Sequence, residues 1–232
     1  KKRRNLVLKN LKENGYITND ELKKFSKQNI KLNKRKITLI KEARSYTEEV
    51  RRIVSTDYGF KKLYSEGLSI STPLNGKYQV AALNALRFGI EKYDKRYGWR
   101  GPITNIFKDN NWNEKINNFP IDKTLNWEIA EVLVINKKDS AIKLTRDNSK
   151  QKILFKNLKW TKAKNFNELF EVGDLIFIKK DSNGDWVLKQ LPRVNGSIVV
   201  MNPYDGKVKA LVGGYSFTSS EFNRATQAKR QP

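Results

Sequence analysis

Between Trp127 and Leu191 the chain alternates short apolar runs with turn residues, at a spacing that suits a small β-barrel. The runs fall at about 128–136, 140–146, 151–156, 175–180 and 185–191. Ser182-Asn183-Gly184-Asp185 is a hairpin signal, because Asn and Gly accept the positive φ that tight connections need. Glu171-Val172-Gly173-Asp174 turns the chain into the apolar run Leu175-Ile176-Phe177-Ile178. Five short strands with a longer link before the fourth predict an OB-like barrel.

The residues before the barrel read as helical. Leu6, Val7 and Leu11 recur at helical spacing, and Gly15 is a natural stop. Thr18 followed by Glu21 is a capping-box signature that opens a second short helix through Leu22 and Phe25. Two such helices cannot make a domain, so they read as the tail of something larger. After the basic run Lys34-Arg35-Lys36, Ser45 and Glu48 open another helix by the same box, with Val50, Ile53 and Val54 opposite Arg51 and Arg52. A break at Tyr58-Gly59 leads to a short helical piece ending at Gly67. Leu68 to Thr72 alternates as a strand does until Pro73.

From Tyr78 to Tyr93, the residues Val80, Leu83, Leu86, Phe88 and Ile90 mark a longer helix, with Ala81, Ala82 and Ala85 small enough for close packing. Residues 105–126 are Asn-rich and aperiodic, a loop or edge region. Past the barrel, Ile198–Met201, a turn at Asn202–Gly206, and Lys207–Val212 make a hairpin that ends at Gly213-Gly214. A lone hairpin is marginal in water. Nothing between it and Arg230-Gln231-Pro232 would cover Val199, Val200, Leu211 and Val212, so the chain reads as a fragment. The fold class expected is α+β.

Composition narrows the chemistry. Cys and His are both absent, which excludes disulfides, thiolate catalysis, zinc ribbons and every triad that needs an imidazole. Neither a metal nor a cofactor is expected. No apolar run approaches the length of a membrane-spanning helix. The net charge is +23, from 47 Lys+Arg against 24 Asp+Glu. Every region is positive, the first sixty residues most of all. Abundant Lys and Asn fit an AT-rich coding sequence, while so basic a chain also favours polyanionic partners, nucleic acid among them.

Two Ser-x-x-Lys pairs occur, Ser140…Lys143 and Ser149…Lys152. That spacing serves acyl transfer when a helix puts both side chains on one face. The first lies in an expected strand and the second in a turn, so neither is read as catalytic. Phe155, Trp160, Phe177 and Trp186 could stack single-stranded bases on the barrel, or could fill its core. Glu128, Glu131, Asp174 and Asp185 show no acid/base spacing and read as solvated strand and turn residues.

Two segments carry a resemblance: Tyr93-Asp94-Lys95-Arg96-Tyr97-Gly98-Trp99-Arg100-Gly101-Pro102, and Phe222-Asn223-Arg224-Ala225-Thr226-Gln227-Ala228-Lys229-Arg230-Gln231-Pro232. Both are similar to stretches of class A penicillin-binding proteins of the 1A type, the bifunctional peptidoglycan synthases. The last segment resembles the approach to the transpeptidase nucleophile, so that serine is expected just beyond Pro232, and no catalytic residue within the chain. Val50-Arg51-Arg52, Tyr58-Gly59, Leu63-Tyr64 and Gly67 to Thr72 resemble the linker and first transpeptidase strand.

The resemblance implies four parts. Residues 1–45 would be the last helices of a glycosyltransferase domain, and 46–102 a linker with the first transpeptidase strand and helix. Residues 103–192 would be an inserted OB-like domain, and 193–232 the start of the transpeptidase. It further implies a place on the periplasmic side of the inner membrane and peptidoglycan as the substrate of the whole protein. An outer-membrane-anchored lipoprotein activator is an implied partner of the OB-like domain. Nucleic acid is the alternative partner that the basic barrel leaves open.

Arg96, Trp99, Arg100, Asn223 and Arg224 are the candidate structural or interface residues. Gly98 and Gly101-Pro102 form a tight turn that a Trp and flanking arginines would pin. The guanidinium fork suits backbone carbonyls or carboxylates, and Asn223 can bridge main-chain groups. Together the five are expected to hold the barrel and the transpeptidase start in register.

Overall fold

The computed structural model describes residues 1–29, 40–119 and 121–229. The runs Lys34-Arg35-Lys36 and Arg230-Gln231-Pro232 lie outside them. The chain divides into two compact units, with the boundary between Leu39 and Ile40. No helix among the described residues is long and apolar enough to cross a membrane.

The first unit is a helical hairpin, α1 (Lys2–Glu13) and α2 (Asn19–Lys27). Gly15, at φ +77°, ends the first helix, as its freedom from a Cβ allows. Thr18 caps the second: its hydroxyl accepts the Glu21 N–H while Glu21 accepts the Thr18 N–H at 2.8 Å. The expected capping box is present.

The second unit begins with α3 (Arg44–Tyr58), α4 (Phe60–Ser65) and α5 (Gly76–Asp94). Ser45 and Glu48 do not form a capping box. The helix already starts at Arg44, and Glu48 instead takes both guanidinium contacts of Arg51, at 2.6 and 2.8 Å. Residues 68–72 are not a strand: they alternate, but nothing among the described residues pairs with them. The stretch 105–126, expected to be a loop or edge region, holds α6 (Trp112–Asn117) and part of β1 (Thr104–Asn105), a short strand at the edge of the sheet.

The barrel is built from β2 (Glu128–Ile135), β3 (Asp139–Leu144), β4 (Lys150–Leu154), β5 (Asp174–Lys180) and β6 (Trp186–Lys189). The first three form an antiparallel meander; β5 returns to pair with β2, and β6 pairs with β5 and, in parallel, with β4. That connectivity closes the sheet in the OB manner, with 3-10 turns in the long link before β5. Ala130, Val132, Ile142, Leu144, Ile153, Ile176, Ile178 and Leu188 point inward at every second position.

Leu175-Ile176-Phe177-Ile178 is apolar without a break because β5 is covered on both faces. Ile176 and Ile178 face the barrel interior, while Leu175 and Phe177 join Ile90, Trp127 and Tyr215 in a second core outside it.

The final hairpin is β7 (Ile198–Met201) and β8 (Val208–Val212). Its cover comes from upstream, a direction that the expectation of no cover between the hairpin and Pro232 left open. Ala82 and Leu83 of α5 pack on Ala210 and Val212, and Tyr46 of α3 packs on Leu211 while donating its hydroxyl to Val208 O at 3.0 Å. The unit is a mixed α+β structure in which α5 touches both the barrel side and the hairpin.

Candidate functional site

Helix α5 carries polar residues along one face, Gln79, Arg87 and Asp94 buried and Glu91 half-buried. At roughly 100° per residue these positions share an arc about a third of the helix circumference wide. Each reaches a segment far away in sequence.

Gln79 behaves like a strand neighbour of β8. Its amide oxygen accepts the Leu211 N–H at 2.9 Å, and its amide nitrogen donates to Leu211 O at 3.0 Å. The same nitrogen donates to Glu42 O. The residue is fully buried, so these bonds satisfy groups that water cannot reach.

Arg87 lies one core layer further along. It donates to Tyr215 O at 3.0 Å and Thr124 O at 3.1 Å, and pairs with Asp122 at 3.3 Å. Burial holds its guanidinium below the ordinary arginine value, and Asp122 only partly offsets that.

Glu91 accepts from Lys189 at 2.5 Å and from the Tyr215 hydroxyl at 2.8 Å. Burial first, and the Glu91 charge second, push the Tyr215 phenol far above its usual range. Lys95 and Lys179 flank this pair. Burial and then the Lys189 charge lower both ammonium groups.

Asp94 gathers the end of the barrel. Arg100 grips it with two nitrogens, at 2.8 and 3.0 Å, and also donates to Leu191 O at 2.7 Å. Gln190 and the Arg193 N–H complete its shell, at 2.8 and 3.1 Å. Burial alone would raise the Asp94 carboxyl, but the bonds from Arg100, Arg193 and Gln190 outweigh it and hold the group below the ordinary value.

The five candidate residues fall in two places. Trp99 and Arg100 are at the Asp94 end. Trp99 packs edge-on against Trp160 and Phe170, ring centres 6.1 Å apart in both cases, and so plugs the barrel core. Arg96 is exposed beside the Tyr93 ring.

Asn223 and Arg224 sit instead at the end of β8. Arg224 N–H donates to Gly213 O at 3.0 Å, and buried Asn223 reaches Glu49 of α3 at 3.3 Å. Glu49 also accepts the Thr226 hydroxyl at 2.8 Å. The two groups are joined through α5 and the hairpin rather than to each other. Sequence reading missed the α5 stripe. Its signal was polar residues recurring at 79, 87, 91 and 94 inside an otherwise apolar helix.

The remaining candidates are accounted for locally. Ser140 is buried and donates to Val134 O, while Lys143 pairs with Glu131, so this Ser-x-x-Lys pair is not a couple. Lys152 pairs with Asp139 rather than with Ser149. Phe177 and Trp186 are buried, and Phe155 and Trp160 pack against the barrel core. Glu128 pairs with Arg146, and Asp185 with Lys156. Asp174 is not a solvated turn residue: it is buried, accepting from Asn105 at 2.8 Å and from Glu171 N–H at 2.7 Å.

Residues 99–194 match the family model described as the penicillin-binding protein OB-like domain. Over its whole length the chain is 41% identical to penicillin-binding protein 1A of Rickettsia felis, of which it spans 30%. It is 30% identical to penicillin-binding protein 1A of Escherichia coli, across 99% of this chain and 28% of that protein. The crystal structure of penicillin-binding protein 1A from Haemophilus influenzae matches it with a TM-score of 0.66 at 30% identity, over 97% of this chain and 33% of that one. The chain thus spans about a third of the length of these relatives. An OB-type barrel, matches along the whole sequence and a matching solved structure make this chain similar, over its whole length, to about a third of penicillin-binding protein 1A.

Proposed function

We propose that the chain serves peptidoglycan synthesis as the part of a bifunctional synthase that seats an OB-like interaction module against the start of the transpeptidase. The observation that carries this is the polar face of α5. One helix hydrogen-bonds the hairpin at Gln79 and the barrel's exit at Asp94, so a load on the barrel reaches the hairpin through a single rigid element. Trp99, Arg100, Asn223 and Arg224 act here as positioning residues, and Arg96 as an exposed contact. Neither Ser-x-x-Lys pair has the geometry for acylation, so the chain contributes no nucleophile of its own.

The setting that follows is the periplasmic side of the inner membrane. The whole protein would act on peptidoglycan, with glycan polymerisation and peptide cross-linking as its reactions. A lipoprotein activator anchored in the outer membrane is the partner proposed for the barrel. The nucleic-acid reading keeps the net charge of +23 but loses the support of the barrel aromatics, which are packed into the two cores.

Fluorescent penicillin tests the assignment. The isolated chain should remain unlabelled, while a longer protein that carries it should label, and Trp99→Ala in that protein should lower the melting temperature and slow acylation together. Stoichiometric labelling of a serine within the chain would overturn the reading.

A further inference from the structure

Two clefts meet at the seam where β4 and β6 close the barrel. One, about 340 Å³, is lined at the barrel mouth by Glu128, Arg146, Asp147 and Lys180. The other, about 560 Å³, is lined by Lys150, Lys152 and Asp185. Gln151 and Trp186 belong to both.

The seam is open for a structural reason. β4 pairs with β3 along its whole length but meets β6 only at Ile153 opposite Trp186. The outer edge of Lys150, Gln151 and Lys152 is therefore not covered by β6, and its backbone groups remain available to a ligand. Trp186 Nε1 donates to the Gln151 amide oxygen at 3.2 Å, which fixes the amide at the shared wall. The Lys180 ammonium lies 5.2 Å from the centre of the Trp186 ring. Among the described residues, neither Lys150 nor Lys180 forms an ion pair, whereas Arg146 and Lys152 are already matched by carboxylates.

We infer that this seam is a binding groove for an anionic glycan, a saccharide strand that also carries carboxylates. Its wall alternates donors and acceptors: ammonium, guanidinium and backbone N–H groups stand beside the carboxylates of Glu128, Asp147 and Asp185. A hydroxyl both donates and accepts, so a hydroxyl-rich chain can satisfy such a wall at each position. A phosphodiester only accepts, so it leaves the acceptor groups of such a wall without a donor. A nucleobase needs an open aromatic face, yet Trp186 is only 8% exposed and has Lys180 over its ring. The two spare lysines call for carboxylates on the ligand. OB-type barrels are suited to oligosaccharides in general. The chemistry comes from the groove; only the source of the glycan rests on the function proposed above.

The test uses the isotope-labelled chain and three probes: muramidase-solubilised peptidoglycan strands, a neutral N-acetylglucosamine oligomer and a single-stranded oligonucleotide. The anionic strands should shift amide resonances around 126–128, 144–151 and 180–186, and the neutral oligomer should bind more weakly at the same place. The pair Lys150→Glu with Lys180→Glu should weaken the anionic strands about tenfold without changing the melting temperature, since both side chains are exposed. Gln151→Ala should weaken both glycans.

Shifts that map elsewhere, or a charge-reversed variant that binds as tightly as the original, would refute the groove. Oligonucleotide binding in the groove that outcompetes the glycans would transfer the site to nucleic acid. None of these outcomes alters penicillin labelling of the longer protein, so the groove and the assigned function can fail separately.

Discussion

Arg100 closes a bidentate pair on Asp94, with nitrogens at 2.8 and 3.0 Å from the two carboxylate oxygens. The two residues are six positions apart, and the pair folds the chain back after Gly98, whose φ of +80° makes the turn possible. Because Asp94 is 3% exposed, its charge depends on these donors.

Arg100→Ala should therefore be costly. Removing one partner of a buried pair strands the other, at about 3–5 kcal/mol when both are fully enclosed. Arg100 keeps a fifth of its side chain in water, so a loss of about 2–3 kcal/mol is expected. Arg100→Lys should recover only part of it, because an ammonium cannot reproduce the fork. Urea unfolding followed by tryptophan fluorescence measures both, and a neutral Arg100→Ala would show that the pair does not hold the junction.

The same pair sets an acid response. The folded Asp94 carboxyl lies below its unfolded value of about 3.9, so the unfolded state binds more protons in that range. Its contribution is complete above about pH 4 and disappears as the pH falls through the folded value. Asp109, held at about 2 by Lys115, and Asp147, held at about 2 by Ser149, titrate in the same limb. Asp94→Asn should consequently flatten the acid limb of stability without abolishing it. An unchanged slope between pH 2 and 4 in the variant, checked by urea midpoints, would remove Asp94 from the account.

The barrel was legible in the sequence because its information is local. Alternation at Ala130, Val132, Ile142 and Leu144, with Asn183-Gly184 at a turn, marks pleat and connection without knowledge of the rest. The α5 stripe was not legible in that way. Gln79 and Arg87 look like ordinary solvent-facing helix residues until their partners arrive from 132 and 128 positions away. Residues 68–72 failed in the opposite sense, since alternation gives a pleat but only a neighbour gives a strand. Trp99 and Arg100 meet the barrel and Asn223 and Arg224 meet the hairpin, and the residues that link them lay unnoticed between.

Gln79 offers a direct check of that link. Gln79→Ala would leave the Leu211 N–H and C=O buried without their side-chain partners, a cost of about 2–3 kcal/mol. Gln79→Glu keeps an acceptor for the N–H but sets a carboxylate against Leu211 O, and should be at least as harmful. Hydrogen exchange at Leu211 should accelerate in both variants while amides in the barrel strands keep their protection. Equal acceleration across the barrel would mean that the two parts unfold as one.

Gly213 is the last point where geometry leaves no slack. A Cβ built there would lie 2.8 Å from the Asn223 Cα and 2.6 Å from its Oδ1. The first of these is backbone and cannot rotate away, so the 222–227 segment would have to lift off the end of β8. That movement would break the Arg224 N–H bond to Gly213 O and the Asn223 and Thr226 contacts with Glu49. Gly213→Ala is expected to cost about 1–3 kcal/mol, within the range for overpacking a tight contact. It should also release residues 222–227 to rapid exchange and protease cleavage. Asn223→Ala removes the near Oδ1 but keeps the backbone clash, so the double variant should regain little. Full recovery in the double variant would show instead that the side chain alone made the contact tight.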